Sequence, residues 1–455
     1  MMELKGKRVL VVGLGKSGLA AALFLRRQGA QVTVSDVRSA EALANDIPKL
    51  LDEGIMVESG GHGLLTFRRQ DLIVVSPGVP LNTPELVQAR GVGLPIIGEI
   101  ELAAQFLQGR MIAITGSNGK TTTTALLGEI LKAAGMTTLV GGNIGVPVVS
   151  LIEKSTPETW SVLEVSSFQL ESTSQFHPAI SVILNITPDH LDRHGTVENY
   201  AMAKERIFAE QDANDAVVLN ADNARAAEAA KRSPARVFWF STERSVEQGA
   251  WLEAGFAVYR PEKDAAVETI MPVSSIPLKG AHNVENVLAA VCAARLAGAP
   301  AEAIRGATES FKAVEHRLEY VATHNGVEFY NDSKATNVDA TAKAIAAFPS
   351  GVHIILGGKD KGSSYAVLAD LLRSRARAVY TIGAAAAKIE SDLRGVVPIC
   401  SCETLESAVS AAAKDARPGE VVLLAPACSS YDQFENYEQR GRVFKELVAR
   451  RGGKA

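Results

Sequence analysis

The 455-residue chain is poor in cysteine, with four, and in aromatic side chains, at 5%. Four thiols, Cys292, Cys400, Cys402 and Cys428, cannot form a disulfide framework for a chain of this length. Cys400 and Cys402 stand too close for an ordinary disulfide and have no histidine at zinc spacing, so all four are expected as reduced thiols in a cytoplasmic protein. Neither charge dominates: 47 Lys and Arg face 51 Asp and Glu, for a net charge of −4, which argues against a nucleic-acid binder. No apolar run reaches the ~20 residues that cross a bilayer, so no membrane span is expected. The opening "MMELKGKRVLVVGLG" passes straight into a strand pattern, so a signal peptide is not expected. Low-complexity segments and short-period repeats are lacking too.

What is present is the composition of an ordinary soluble globular protein, 47% hydrophobic and 22% charged, in a chain too long for one core. Roughly two to four domains are expected. Short Val/Ile/Leu runs alternate with Ala/Leu-rich helical patterns: "RVLVVG", "DLIVVSPG", "MIAITG", "SVLEVSS", "SVILNIT", "GVHIILGG", "AVYTIG" and "VVLLAP". Continuous apolar runs bounded by Gly and Pro suit strands buried on both faces, hence α/β domains with parallel sheets. Strand-turn-helix starts near residues 9, 111 and 352 each open a candidate domain. Boundaries are expected near "LPIIGEIELAAQFLQGR" and near "FKAVEHRLEYV".

The first turn, "VVGLGKSGLAAALFLRRQGAQVTVSD", carries Gly13, Gly15 and Gly18 at G-x-G-x-x-G spacing, with Asp36 ending the next strand. Such a turn aims backbone amides of a helix N-terminus at a pyrophosphate. A tight βα turn with packing glycines is the bland alternative. Any nucleotide diphosphate fits the geometry, a UDP-sugar as well as NAD. A second turn, Ser76 to Pro80, lies where it could approach the same ligand.

The loop "GSNGKT" is the stronger signal. A standard P-loop has four residues between its first Gly and its Gly-Lys pair, whereas here only Ser117 and Asn118 separate Gly116 from Gly119. The chemical parts remain: glycines for close approach, Lys120 for phosphate charge, Thr121 for a magnesium-bound hydroxyl. Glu164 closes an apolar strand and is costly to bury without a cation, which makes it the candidate metal carboxylate. His190, beside Asp189 and Asp192 at the next strand end, points to metal or phosphate, while His194 reads as a loop residue.

In order along the chain, "TGSNGKTTT", "GGNIGVP", "LEVSSFQLE", "NITPDHLDRHG", "LKGAHNVENVLAA", "EHRLE", "NDSKATN" and "LAPACSSYDQFENYEQRGRVF" resemble the Mur ligases, the ATP-dependent amide-forming enzymes of peptidoglycan precursor synthesis. The resemblance spans nearly the whole chain, and the two-residue gap in the Gly loop is normal in that family. It implies three α/β domains: a Rossmann-like UDP-substrate domain over 1–98, a central P-loop ATPase-type domain over 99–312, and a Rossmann-like C-terminal domain over 313–455 that brings the amino acid and closes over the site. It turns the first Gly turn from NAD to UDP.

The implied reaction passes the ATP γ-phosphoryl group to the alanine carboxylate of UDP-N-acetylmuramoyl-L-alanine. The amine of D-glutamate, singled out by "SSFQLE", "NDSKATN" and "PACSSYDQF", then attacks the acyl phosphate. By resemblance Lys16, Ser17, Val37, Arg38, Gly78, Asn143 and His190 meet the UDP substrate. Gly116, Ser117, Asn118, Gly119, Lys120, Thr121, Thr122, Asn283, Asn286, Arg317 and Asp332 meet ATP. Thr121 and Glu164 hold one Mg²⁺, His190 a second, and Lys204 matches the lysine that the family carbamylates; from its own surroundings in sequence Lys204 reads as a solvated helix residue. Lys334 reaches the transferring phosphate, and Thr336, Lys361, Ser430, Tyr431 and Tyr437 meet D-glutamate, with Lys359 the rival of Lys361. A cytoplasmic monomer is expected. The competing readings are a different Mur step, a folylpolyglutamate synthase (which would lack the domain over 1–98), a non-catalytic nucleotide sensor and an NAD-dependent oxidoreductase.

Overall fold

The computed structural model describes residues 2–312 and 314–452; the expected domain edges at 1, 313 and 455 lie outside them. All eight apolar runs form strands, and the described residues carry three sheets. The first has the order Met56–Ser59, Gln31–Asp36, Arg8–Val12, Leu72–Val75, Ile96–Gly98, all parallel. Its strand order reverses beside Arg8–Val12, so ligand crevices are expected at the carboxyl ends of that strand and of Leu72–Val75. Both faces are covered: Val9, Val11, Val32 and Val34 pack into one core, Leu10, Val12, Ile73 and Val75 into the other. That two-sided burial is why these strands read as unbroken apolar runs rather than alternating ones.

The second sheet has nine strands. From one edge they run Glu268–Pro272, Phe256–Arg260, Gly249–Glu253, Arg236–Ser241, Ala216–Asn220, Ile180–Ile183, Arg110–Thr115, Trp160–Glu164, Thr138–Gly142. Only Phe256–Arg260 and Glu268–Pro272 join by antiparallel pairing. The third sheet has six strands in the order Glu319–His324, Val327–Asn331, Val421–Leu424, Val352–Gly357, Ala376–Ile382, Ile399–Glu403, parallel except for the first. Alternate residues of its strands again enter two cores, Ile354 and Leu423 one, Ile355 and Leu424 the other.

The chain divides into two compact units. The first comprises 1–186, 201–273 and 286–309 and holds the first two sheets; the second comprises 187–200, 274–285 and 310–455 and holds the third. Among the described residues no helix is long and apolar enough to cross a membrane.

Candidate functional site

In the first sheet the turn Gly13–Gly18 leads into the helix Lys16–Arg27. A Cβ at Gly18 would lie 1.9 Å from the Gly13 carbonyl oxygen, so only glycine lets the helix start this close to the strand. The Ser76 hydroxyl donates to the Gly13 carbonyl at 2.7 Å and ties the second turn to the first. Lys16, Ser17 and Gly78 sit at this edge, and nothing lies within 4 Å of where a Gly78 Cβ would be. Asp36 is spent internally. Its carboxylate accepts the Leu14 amide at 2.6 Å, the Arg38 amide at 2.8 Å, and Arg38 Nε and Nη2 at 3.0 Å each. Burial works to raise its pKa, but the Arg38 side chain and the two amides outweigh it and hold the carboxyl below its ordinary value. A second bond from Arg38 Nη2 reaches the Leu14 carbonyl at 2.8 Å. Val37 stands between them, 66% exposed. The acid that grips ribose in a dinucleotide site is therefore already engaged here, which disfavours the NAD reading.

In the second sheet the Gly loop follows the strand Arg110–Thr115 and opens the helix Lys120–Ala133. That helix buries Leu126, Leu127, Ile130 and Leu131, a spacing that anchors one face and leaves its N-terminus at the sheet edge. Gly116 and Gly119 have φ of 153° and 87°, and a Cβ on Gly119 would come 2.1 Å from Asn286 Oδ1. The loop is fixed from behind by Asn185. Its carbonyl accepts the Ser117 amide at 2.9 Å, its Oδ1 accepts the Asn118 amide at 2.9 Å, and its Nδ2 donates to the Asn118 carbonyl at 3.1 Å. Lys120 folds back over the loop, Nζ donating to the Gly116 and Ser117 carbonyls at 2.7 and 2.9 Å. Thr122 is buried in the first turn of the helix.

Glu164 ends the neighbouring strand Trp160–Glu164 and is 1% exposed. Its Oε2 accepts the Thr121 hydroxyl at 2.8 Å and its Oε1 accepts Asn143 Nδ2 at 2.9 Å. Lys204 is equally buried, at 1% exposure, with Nζ 2.9 Å from the Gly116 carbonyl oxygen. The expectation of a solvated helix residue at Lys204, drawn from its sequence neighbours, is thus overturned. The donors Thr121 Oγ1 and Glu164 are hard oxygens of the kind magnesium takes together with phosphate oxygens. Among the described residues no group of three or more His, Cys, Asp or Glu forms an all-protein cage.

The second unit gathers a separate set. Asp189 accepts the His190 amide at 2.9 Å and Asn337 Nδ2 at 2.9 Å, and lies 3.7 Å from Lys361 Nζ. His190 has left-handed backbone, φ 52°, and its Nε2 is 3.6 Å from Asp189. Of the two rival lysines, Lys361 turns inward to Asp189, while Lys359 uses its backbone to pair with Ser429 and is exposed. His194, expected in a loop, is instead buried at the end of a short helix against Tyr200. Asn283 donates to the Lys279 carbonyl at 2.6 Å.

The segment after the strand Val327–Asn331 carries Asp332, Lys334 and Thr336. Burial pushes the Asp332 carboxyl up to about 6 against the pull of Arg317, the Leu318 amide and Lys334. Arg317 Nε is buried without a hydrogen-bond partner among the described residues, a donor suited to an anionic ligand. Lys334 Nζ lies 5.2 Å from the centre of the Tyr437 ring. Ser430 is buried and Tyr431 is 69% exposed.

Two residues escaped the sequence reading. Asp189 was noticed only as a neighbour of His190, yet it joins three candidate segments. Arg440, 0% exposed, donates Nε to Ser333 Oγ at 3.0 Å, Nη2 to the Ser333 carbonyl at 2.8 Å, and Nη1 and Nη2 to the Cys428 carbonyl at 3.2 Å each. The adjoining Gly441 was the available signal, since a Cβ there would come 2.3 Å from His316 Nδ1.

Comparison with known proteins adds to this geometry. The Mur ligase MurD-like N-terminal domain matches residues 7–98, the Mur ligase middle domain 114–294, and the Mur ligase glutamate ligase domain 316–428. A UDP-N-acetylmuramoylalanine–D-glutamate ligase of Acidobacterium capsulatum is 68% identical over 455 residues, covering 100% of this chain and 99% of the relative. One of Koribacter versatilis is 61% identical, covering 98% of each. Among solved structures, the UDP-N-acetylmuramate–alanine ligase of Thermotoga maritima has a similar fold, with TM-score 0.61 at 20% identity over 98% of this chain and 100% of that one. The MurF ligase of Thermotoga maritima, solved with ADP, gives 0.60 at 19% over 99% and 96%. With relatives this similar along its whole length, the chain belongs to the Mur ligase family.

Proposed function

We propose that the chain is an ATP-dependent ligase that joins D-glutamate to UDP-N-acetylmuramoyl-L-alanine in peptidoglycan precursor synthesis. The observation that carries this reading is the 68% identity, end to end, with a relative named for that activity.

The alanine carboxylate is a poor electrophile, and transfer of the ATP γ-phosphoryl group gives it a leaving group. The amine of D-glutamate then attacks the acyl phosphate, and the tetrahedral intermediate expels phosphate to leave an amide. The chain's own groups suit these steps. Lys120 and the loop amides from Gly116 to Thr122 offer cations and donors to the β and γ phosphates. Arg317 offers a further buried donor, with Asp332 for the ribose and Asn283 and Asn286 for the purine and phosphates. Thr121 and Glu164 would hold one Mg²⁺ and His190 a second; bound there, the ions supply charge neutralisation on the phosphates. Lys204, as a carbamate, would add a carboxylate on the metal side. Lys334 would reach the transferring phosphate.

The UDP moiety falls to Lys16, Ser17, Val37, Arg38 and Gly78, with Asn143 and His190 at the muramoyl-alanine end. D-glutamate brings two carboxylates and one neutral amine, so each carboxylate needs its own grip. Thr336 and Lys361 serve the α-carboxylate, and Ser430 with Tyr431 and the backbone near Tyr437 the other. We read the enzyme as a cytoplasmic monomer.

The test is ATP-dependent phosphate release with UDP-N-acetylmuramoyl-L-alanine and one amino acid at a time, with product mass recorded. D-glutamate is expected to support turnover and L-glutamate, D-alanine and diaminopimelate to fail. Losing the second carboxylate leaves its donors unpaired, at about 1–3 kcal/mol per group. Preferred ligation of L-alanine, L-glutamate or diaminopimelate would overturn the reading.

A further inference from the structure

Cys400 and Cys402 lie on Ile399–Glu403, an edge strand of the six-stranded sheet. In a regular strand, residues two apart share a face at about 6.6 Å. Here the register slips: Thr381 pairs with Ser401 and Ile382 with Glu403, leaving Cys402 as the extra residue of a bulge. The Cys402 thiol comes within 3.6 Å of Cys400 Sγ. A tight turn follows, with the Thr404 amide donating to the Cys402 carbonyl at 2.6 Å across Glu403, whose φ is 60°. Spacing alone made this pair look unfit for a disulfide, but the bulge supplies the approach that a flat strand denies.

We propose that Cys400 and Cys402 form a redox-active dithiol that hydroperoxides close to a disulfide, and that closure weakens the D-glutamate grip of the adjoining loop. The loop connection rests on the ligase reading above. Cys400 is exposed and Cys402 buried, so Cys400 meets the oxidant first. Its thiolate attacks the O–O bond of the hydroperoxide; Cys400 becomes a sulfenic acid, and the other oxygen leaves as alcohol or, from hydrogen peroxide, water. Cys402 sulfur then displaces the sulfenic hydroxyl, which departs with the Cys402 proton as water. Two thiols lose two electrons and the peroxide bond gains them. Burial first, then the hydrogen bond to Cys400, raises the Cys402 thiol above its ordinary range, which suits it to follow rather than lead.

The turn after the bulge is tied to the loop that carries Ser430. The Glu403 carbonyl accepts the Gly383 amide at 3.1 Å and Gln433 Nε2 at 2.7 Å, and Asp432 accepts the Ala384 amide at 2.9 Å. These residues line a cleft of about 360 Å³. Bond formation draws the sulfurs from 3.6 Å to about 2.0 Å. A strained turn held by two bonds to one carbonyl absorbs that displacement poorly, so Gln433 and the loop before it lose their anchor.

The experiment treats the full chain with hydrogen peroxide, blocks remaining thiols by alkylation, and reads peptide masses. The peptide holding Cys400 and Cys402 is expected unalkylated and about 2 Da lighter, two hydrogens having been lost, and dithiothreitol should restore it. If both residues remain alkylated, or Cys400 carries added oxygen while Cys402 is alkylated, the dithiol is overturned. In parallel, KM for D-glutamate should rise several-fold on oxidation with KM for ATP unmoved, and Cys400→Ser and Cys402→Ser should abolish the rise. An unchanged KM with the disulfide formed would overturn the coupling. The mass readout needs no turnover and uses the unaltered chain. A reduced protein that fails to ligate D-glutamate therefore refutes the ligase reading alone.

Discussion

Glu99 offers a test of how burial sets stability in the first unit. It opens the helix Glu99–Ala104 and is almost wholly buried. Its Oε1 accepts the Val149 amide at 2.8 Å, but its Oε2 is buried with no partner among the described residues. Desolvation therefore pushes the carboxyl from 4.5 to about 7, against the opposing pull of the Val149 and Val148 amides. The unfolded chain releases this proton at lower pH than the folded one. The associated stability is thus complete below the unfolded value and lost as pH rises through the folded value. A displacement from 4.5 to about 7 corresponds to about 3 kcal/mol.

Glu99→Gln keeps the shape of the protonated acid and the acceptor for Val149, and has no proton to lose. At pH 4, below the unfolded value, the variant should match the wild type within about 0.5 kcal/mol. At pH 8 it should be more stable by about 2–3 kcal/mol. Urea unfolding followed by tryptophan fluorescence reads the right unit, because Trp160, Trp239 and Trp251 all belong to it. A stability difference between the two proteins that stays constant from pH 4 to pH 8 would refute the reasoning.

Three further outcomes are expected. Lys120→Ala should keep the wild-type circular dichroism and lose nearly all ligation, a charge contact of this kind being worth ~3 kcal/mol or more in the transition state; near-normal turnover in the folded variant would remove Lys120 from the phosphate site. Lys204→Ala should be nearly inactive and partly recover when formate or acetate fills the gap, whereas full activity without them would dismiss the carbamate. Asp332, held near pH 6 by burial, should lose its value as an acceptor below that pH. ADP affinity measured by calorimetry should therefore fall as pH drops from 7 to 5 in the wild type and stay flat in Asp332→Asn; superimposable profiles would exclude the role.

Strands were legible because two-sided burial writes itself as unbroken Val/Ile/Leu runs. "RVLVV" and "VHIILG" are examples, each with alternate residues in different cores. The hairpin Phe256–Arg260 and Glu268–Pro272 gave no such run, because its buried stretches, Ala257 to Tyr259 and Ile270 to Met271, are only three and two residues long. The Gly loop was legible through its Lys and threonines, which have no packing use. Lys204 was not, because its burial comes from the Gly116 carbonyl 88 residues away in sequence, and no local pattern encodes that. Asp36 completed a dinucleotide-type pattern in the sequence, but Arg38, two residues on, occupies its carboxylate. The close approach of Cys400 and Cys402, which are free thiols as expected, was not legible either: the bulge that brings them together is a property of strand pairing, invisible in a five-residue string.

The Arg440 clamp has a further consequence. One guanidinium holds the carbonyls of both Ser333 and Cys428, so the segments that lead to Lys334 and to Ser430 share a single fastening. Ordering either segment lowers the entropy still to be lost by the other. A small fragment that touches only one of them would thus prepare the other for a second fragment, and the two should bind with positive cooperativity. Chemists assembling an inhibitor from such pieces should find linked compounds tighter than the separate affinities suggest, and should find that advantage gone in Arg440→Ala.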